Sequence, residues 1–341
     1  MDKDLSEKIR ENRESIGRDV SPKTITTYIN NLRALSKIMN EGKETGGVEW
    51  LLDPDKVIKT LEENKLSYTT VRNYLNSVII YITIYEVDKE ILTHYQRERD
   101  KLNDKYSESN ASSKWSEKQG ANVLSMVEVK KVLADIGREL KALKLKDKLK
   151  NKGVISQKDK YLLQIYTVLS IHVEIPMRND LADTIVIKSK KLWDAIPDED
   201  KVNNNYLVIY PKNCFFVMNE FKTSKKYGQN IIEVSETLRR TIRFHIHFLD
   251  NKYLLTRSDG EHISRNYLSQ MLLKEFKKRT GKAISTTLLR KFFLTDKYGE
   301  LKKQLAIDNK NMGHSKGVAL DIYVKDGFTE EEDKNTKEEK V

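Results

Sequence analysis

The sequence predicts a mainly α-helical protein with one small antiparallel β-sheet, organised in two domains. Apolar residues recur three and four positions apart along most of the 341-residue chain, as on the buried face of a helix. Three short segments rich in β-branched and aromatic residues follow one another near the middle. A polar, serine-rich stretch separates two apolar halves, and each half is long enough to bury a core of its own.

The charge balance favours a polyanionic partner. Lysine and arginine total 62 against 51 acidic residues, which gives a formal net charge of +11. Residues 326–341 form an acidic tail with seven acidic residues and three lysines, so residues 1–325 carry +15. Nucleic acid is the commonest partner of such a positive body, although a basic protein that is merely soluble would show the same balance.

The sequence contains no pattern typical of a disulfide, a metal or cofactor site, a secretory signal or a membrane span. Cys214 is the single cysteine, so we expect neither an intrachain disulfide nor a thiolate metal cluster. There is no glycine-rich phosphate loop and no acidic cluster at metal spacing, so we expect no cofactor and no metal. The charged N-terminus shows no secretory signal, and the apolar run over 161–173 is too short and too polar to span a membrane. We therefore expect an intracellular protein.

The first half is predicted to be a helical domain over 21–103, preceded by a polar, partly helical leader over 1–20. Ser21 and Pro22 supply the cap and the first residue of a helix, and apolar positions follow at helical spacing. Two further helices are expected over 55–63 and 67–85.

The cations of this domain fall on or near the helix faces opposite the apolar stripes. The three that we single out are Lys23, Arg33 and Arg72. We interpret this side as the DNA-binding face of a small helical bundle. A charged helix face that only meets water would give the same pattern.

The second half is predicted to be a larger domain over 123–325, joined to the first by a linker over 104–122. A capping box from Ser125 to Glu128 opens its first helix. The other expected elements are an apolar helix over 160–172, a short helix and a strand within 181–187, strands over 206–210, 214–218 and 230–234, helices over 235–250, 264–279, 285–298 and 300–309, and a last helix from near Ser315.

The candidate catalytic residues are several basic side chains and a tyrosine near the end of the sequence. Arg178 follows the apolar helix, Lys222 lies in the turn between two predicted strands, and Arg290 stands in Leu-Leu-Arg-Lys-Phe-Phe. The sequence Gly-His314-Ser is followed, nine residues after the histidine, by Tyr323. Each feature alone is common, because a lone arginine in a basic chain is usually a surface residue.

In this order and spacing, these residues resemble the catalytic set of the tyrosine recombinases, or phage integrases, of the divergent kind found in DNA viruses and their satellites. The resemblance covers residues 122–325 by motif and residues 20–105 only by the general form of the family's helical core-binding domain. It implies a tyrosine-recombinase catalytic domain, double-stranded DNA as partner, a homotetramer on DNA and a metal-independent reaction. The residues that it implies to be catalytic are Arg178, Lys222, Arg290, His314 and Tyr323. We add Lys225 of the hairpin turn to the candidate DNA contacts.

Two positions depart from the family's pattern. Thr287 stands where the family has the histidine of His-x-x-Arg, and a threonine hydroxyl cannot act as a general base near neutral pH. The acid that usually follows the first arginine by three residues is missing, and Asp180 or Asp183 could replace it. We therefore treat Thr287 and Asp180 as possible accessory residues.

The implied reaction explains why these residue types are needed. Attack on a phosphodiester builds negative charge on two non-bridging oxygens, which arginine guanidinium groups bind bidentately. A phenol, with a pKa of about 10, needs cations or a base beside it to become a nucleophile. A lysine ammonium can protonate the departing 5′-oxygen.

Three functions fit this pattern. The prediction is a site-specific recombinase or integrase that cuts and rejoins DNA through a 3′-phosphotyrosyl intermediate. A type IB topoisomerase or a telomere resolvase would use the same chemistry. A degenerate recombinase that only binds DNA would explain Thr287, but drift would be expected to spoil more than one catalytic position.

Overall fold

The computed structural model describes residues 2–18, 20–40, 42, 49–111, 114–150, 154–249 and 251–313. By its internal contacts the chain divides into two compact units, Met1–Lys114 and Trp115–Val341. The predicted fold class is confirmed, because helices dominate the described residues and one small sheet lies in the second unit.

Helices make up the described part of the N-terminal unit, together with a 3-10 turn at Glu49–Leu52. The helices are α1 (Asp2–Ser15), α2 (Pro22–Met39), α3 (Pro54–Glu63), α4 (Tyr68–Ile84) and α5 (Lys89–Ala111). Side-chain caps fix several helix starts, as predicted for α2, where the Ser21 hydroxyl accepts a hydrogen bond from the Thr24 amide at 3.3 Å. In the core, the Tyr95 hydroxyl donates to the Leu51 carbonyl at 3.0 Å.

The structure differs from the prediction in two segments of this unit. Residues 1–20 are not a separate leader, because α1 buries Leu5 and Ile9 in the same core as α2 and α4. Residues 104–111 are not an irregular linker, because α5 continues to Ala111. Their lysine, glutamate and serine residues suit an exposed helix as well as a linker, so composition alone could not separate the two.

The C-terminal unit combines helices with a four-stranded sheet. Its strands are β1 (Ile185–Ile187), β2 (Tyr206–Ile209), β3 (Cys214–Met218) and β4 (Asn230–Glu233), and a 3-10 turn at Asn179–Asp183 precedes β1. Its helices are α6 (Glu117–Gly120), α7 (Met126–Ala142), α8 (Leu145–Lys150), α9 (Gln157–Glu174), α10 (Lys190–Asp194), α11 (Asp198–Lys201), α12 (Ser224–Tyr227), α13 (Glu236–Phe248), α14 (Arg265–Thr280) and α15 (Thr286–Met312).

The sheet is mixed rather than purely antiparallel. The pairs β2–β3 and β3–β4 are antiparallel, at the three predicted strand positions. The first strand, β1, joins the edge of β2 in the parallel direction, with Ile185 opposite Tyr206. A parallel pair needs a long crossover, and α10 and α11 supply it. Strand direction depends on that connection and cannot be deduced from the alternation of side chains.

The apolar helix α9 is central to the second core. It contacts α7, α13 and α15, and it buries residues on nearly all its faces, including Leu163, Ile165, Val168, Leu169 and Ile171. Cys214 of β3 lies in the same core, where burial raises the pKa of its thiol to about 12. No helix among the described residues is long and apolar enough to cross a membrane.

The last described helix, α15, is longer than predicted. We expected two helices, over 285–298 and 300–309, but α15 runs unbroken through Gly299. The Ser285 hydroxyl accepts from the Leu288 amide at its start, and Gly313 ends it with a positive φ of 70°. A single glycine costs a helix only about 1 kcal/mol, so it did not justify a break.

Candidate active site

Four of the predicted site residues meet at one open pocket of about 620 Å³ in the C-terminal unit. They are Arg178, Asp180, Thr287 and Arg290. The pocket lies where the chain leaves α9, beside the β3–β4 hairpin and the first turns of α15. Residues more than a hundred positions apart in the sequence therefore share one cavity.

The residue next to Arg178 is hydrogen-bonded to the start of α15 through its side chain. Arg178 is exposed and directly precedes the 3-10 turn. Its neighbour Asn179 accepts a hydrogen bond at Oδ1 from the Thr286 hydroxyl at 2.6 Å. The same Asn179 donates from Nδ2 to the Ser269 hydroxyl at 2.9 Å. These bonds connect the segment that carries Arg178 to the helix that carries Arg290.

Asp180 is the buried acid of the pocket, with 7% of its surface exposed. Its carboxylate accepts from Arg265 Nη1 at 2.8 Å, and Arg265 Nη2 lies 3.0 Å from the carboxylate of Asp183. Burial raises the pKa of Asp180 above its ordinary value, and the Arg265 guanidinium only partly opposes this. Asp180 and Asp183, the two acids considered in the sequence analysis, thus pair with the same arginine. No motif in the sequence pointed to Arg265.

Arg290 is half-buried on the second turn of α15. Its Nη2 donates to the Thr287 hydroxyl at 3.3 Å, and its Nε is buried without a hydrogen-bond partner among the described residues. Burial, and then the charge of Arg178, lower the pKa of Arg290, whereas Asp180 raises it. Two guanidinium groups that repel each other beside one cavity favour an anion between them.

Thr287 is exposed and faces the same pocket as Arg290. Because its oxygen accepts from Arg290 Nη2, its hydroxyl hydrogen is the part that can be donated to a bound anion. Lys291 also lines the pocket, and its Nζ donates to Gln119 Oε1 at 2.9 Å.

Lys222 lies where the hairpin lysine was predicted, in the connection between β3 and β4. It is exposed, and its neighbours Phe221 and Thr223 line the pocket although Lys222 itself does not. Lys225 follows on the short helix α12 and is also exposed. The two remaining predicted catalytic residues, His314 and Tyr323, lie outside the described residues.

The candidate DNA-binding cations of the N-terminal unit have two different environments. Lys23 and Arg33 are exposed on α2, and Arg33 lines a groove together with Lys3 and Arg10 of α1. Arg72 is partly buried, with its guanidinium carbon 3.8 Å from the centre of the Tyr106 ring. The ring of Tyr106 therefore covers one face of a cation that we expected to be exposed to DNA.

Among the described residues, no group of three or more histidine, cysteine or acidic side chains is arranged to hold a metal ion. No protein-family model matches the sequence, and no curated protein matches it.

Several solved structures align with this chain over most of its length. The Tn1549 transposon integrase, in complex with transposon right end DNA, matches with 14% identity over 99% of both chains and a TM-score of 0.47. The XerH site-specific recombinase bound to its difH substrate matches with 14% identity over 100% of this chain and 85% of its own, at a TM-score of 0.40. The XerA recombinase matches with 12% identity over 99% of both chains, at 0.33. No residue role follows from likenesses at this level.

Proposed function

We propose that this chain is a site-specific DNA recombinase or integrase that cuts and rejoins DNA through a covalent link to Tyr323. The observation that carries the proposal is the pocket that Arg178 and Arg290 share. Both had been singled out from the resemblance of the sequence to the tyrosine recombinases, and they lie more than a hundred residues apart in the chain.

The pocket suits the charge that develops during attack on a phosphodiester. The two guanidinium groups would each bind a non-bridging oxygen, and Thr287 would donate its hydroxyl hydrogen to one of them. This charge stabilisation is already in place before the reaction, because the side chain of Asn179, next to Arg178, accepts a hydrogen bond from Thr286 at the start of α15.

The covalent step transfers the phosphoryl group without net loss of a bond. The Tyr323 oxygen attacks phosphorus and passes its phenolic proton to His314, the nearest candidate base by motif, and the bond from phosphorus to the 5′-oxygen breaks. Lys222, in the exposed hairpin beside the pocket, would give the departing 5′-oxygen its proton. A 5′-hydroxyl can then attack the phosphotyrosine and reverse the step on the same strand or a new one. Strand exchange between two duplexes needs four such sites, so the proposal includes a homotetramer on DNA.

Trapping of the covalent intermediate tests the proposal. The full-length protein would be incubated with a library of nicked duplexes of random sequence, from which the short downstream fragment that carries the new 5′-hydroxyl diffuses away after cleavage. We expect a protein–DNA adduct on a denaturing gel, with its attachment at Tyr323 by mass spectrometry. Sequencing of the trapped DNA would show whether defined sites are required, as for a recombinase, or any duplex serves, as for a type IB topoisomerase.

Tyr323→Phe should abolish the adduct and leave DNA affinity unchanged. Tyr298→Phe is the matched control, because Tyr298 is an exposed tyrosine on α15. If the Tyr323 variant still formed the adduct and the Tyr298 variant did not, Tyr298 would be the nucleophile. Binding without any adduct in the wild type would favour the degenerate DNA-binding protein.

A further inference from the structure

His172 is a buried histidine that the proposed reaction does not use. It lies on the last turn of α9, six residues before Arg178, and only 1% of its surface is exposed. Its helix packs directly against α15, which carries Arg290. Burial lowers the pKa of His172 to about 4, and the nearby charge of Arg290 acts in the same direction. The backbone carbonyls of Val168 and Met177 only partly oppose this, so the ring is neutral at physiological pH.

The hydrogen bonding of the ring fixes its tautomer. Nδ1 lies 2.8 Å from the carbonyl oxygen of Val168. A carbonyl oxygen only accepts, so Nδ1 must carry the hydrogen, and in the neutral ring Nε2 then holds a lone pair. This Nε2 atom is buried and has no hydrogen-bond partner among the described residues.

Arg290 has a buried donor that lacks an acceptor. Its Nε–H is a buried donor without an acceptor among the described residues, while its Nη2 is engaged by Thr287. One buried acceptor and one buried donor, on two helices in contact, are therefore both unpaired. Buried polar atoms are seldom left unpaired, and hydrogen bonds in active sites often tighten only once the ligand is bound.

We propose that His172 is a positioning residue for Arg290, whose Nε–H donates to His172 Nε2 when a phosphate occupies the pocket. The imidazole then holds the inner edge of the guanidinium, and the two Nη groups are turned toward the phosphate oxygens. The inference rests on the proposed function for the identity of the ligand, a phosphodiester. In this proposal, the buried Nε2 atom of His172 is the acceptor that orients the guanidinium group of Arg290.

His245 provides the matched control for a merely structural role. It is equally buried, and burial also lowers its pKa to about 4. Both of its ring nitrogens are satisfied, since Nε2 donates to the Leu254 carbonyl at 2.7 Å and Nδ1 lies 3.0 Å from the Thr167 hydroxyl. Substitution of His245 should lower stability without changing the rate of the folded enzyme.

The direct test is ¹⁵N NMR of the full-length protein labelled at histidine, without ligand, with inorganic phosphate and with a nicked duplex. We expect the Nε2 resonance of His172 to shift toward that of a hydrogen-bonded acceptor on addition of ligand, and His245 to stay unchanged. The shift should be lost in Arg290→Ala. A His172 resonance that responds to neither ligand, or responds equally in Arg290→Ala, overturns the proposal. This measurement does not depend on cleavage, so it stands even if the proposed function fails.

The kinetic test separates positioning from packing. His172→Phe keeps the ring but removes the acceptor, and it should slow adduct formation at saturating DNA by about 10- to 100-fold, as for loss of a hydrogen bond to a charged group. His172→Gln, whose amide oxygen can reach the Nε2 position, should stay within about threefold of wild type. DNA affinity should be the same in both. Equal rates for the two variants would overturn the proposal, whereas the absence of any adduct in the wild type would instead overturn the proposed function.

Discussion

The two units of the molecule place their cations in contrasting surroundings. In the N-terminal unit, Lys23 and Arg33 extend from one exposed face of α2. In the C-terminal unit, Arg178 and Arg290 meet at a pocket beside the buried carboxylate of Asp180. Water screens the first pair, whereas burial lowers the pKa of Arg290 in the second.

Under the proposed function, this contrast separates two roles for basic residues, DNA affinity and catalysis. Exposed cations interact with phosphates independently and are weakened by salt, so each contributes a small part of the affinity. Cations in a partly desolvated pocket interact with each other and with the same phosphate, so they act as one unit on the rate. Net charge reports the sum of the two and cannot distinguish them.

The largest expected effect is on the pocket arginines. Arg178→Ala and Arg290→Ala should each slow adduct formation at saturating DNA by about a hundred- to a thousandfold. The double variant should be little worse than either single one, because the two side chains act on the same charge. Single-turnover kinetics would measure this, with the exposed Arg257→Ala as control. Additive losses together with weaker DNA binding would mean that the pocket behaves like the exposed face.

Acid should destabilise the C-terminal unit before the N-terminal unit. Unfolded histidine titrates near pH 6.5, whereas burial lowers the pKa of His172 and His245 to about 4. Between these values the unfolded chain binds more protons, so the free energy of unfolding should fall as the pH is lowered from 6.5 to 4. The loss should reach at most roughly 3 kcal/mol for each histidine.

The N-terminal unit offers a reference for this acid effect, since its single histidine, His94, is partly exposed beside Asp55. Hydrogen exchange of the full chain, followed by segment, should show protection lost first in the C-terminal unit. If protection were lost first in the N-terminal unit, the two buried histidines would not be the cause of the acid sensitivity. His245→Gln should reduce the pH dependence.

A smaller effect is expected at Thr287. Thr287→Ala removes one hydrogen bond, worth about 1 kcal/mol, and should slow adduct formation by about fivefold. Thr287→Ser should restore the rate, and Thr287→His should equal or exceed it by supplying a general base. A thousandfold loss in the alanine variant, with folding intact, would give the hydroxyl a larger catalytic role than its geometry supports.

The smallest effects should come from the exposed face. Lys23→Gln and Arg33→Gln should each weaken DNA binding by only a few-fold, equally for all sequences, and lower the salt dependence by about one counterion. Arg72→Gln should change binding less, because its guanidinium stacks on Tyr106. Binding isotherms over a range of salt concentrations would measure all three. A loss confined to one DNA sequence would mean that this face contacts bases.

Much of the fold follows from the sequence where a local signal exists. The Ser125 capping box opens α7, and the three predicted strands occur within a residue of their expected ends. The parallel pairing of β1 and the burial of α1 depend on contacts between distant segments, which periodicity does not contain.

The candidate site was predictable to the extent that its residues belong to motifs. Arg178, Asp180, Thr287 and Arg290 belong to the motifs of the resemblance or depart from them, and they line one pocket. Arg265 and His172 could not be singled out from the sequence, because the contacts that make them candidates join distant segments of the chain. In the sequence, His172 is only an interruption of an apolar run, and its unpaired ring nitrogen appears once α9 and α15 are packed together.

The burial of Cys214 has a practical consequence. A thiol with 1% of its residue exposed and a pKa raised to about 12 stays protonated and out of reach of alkylating reagents. The chain therefore has no reactive thiol of its own, and a cysteine introduced at an exposed position would be the only one to take up a fluorophore. Placed at Lys226 in the β3–β4 hairpin, such a label would test in real time whether this hairpin contacts DNA, with the native sequence otherwise intact.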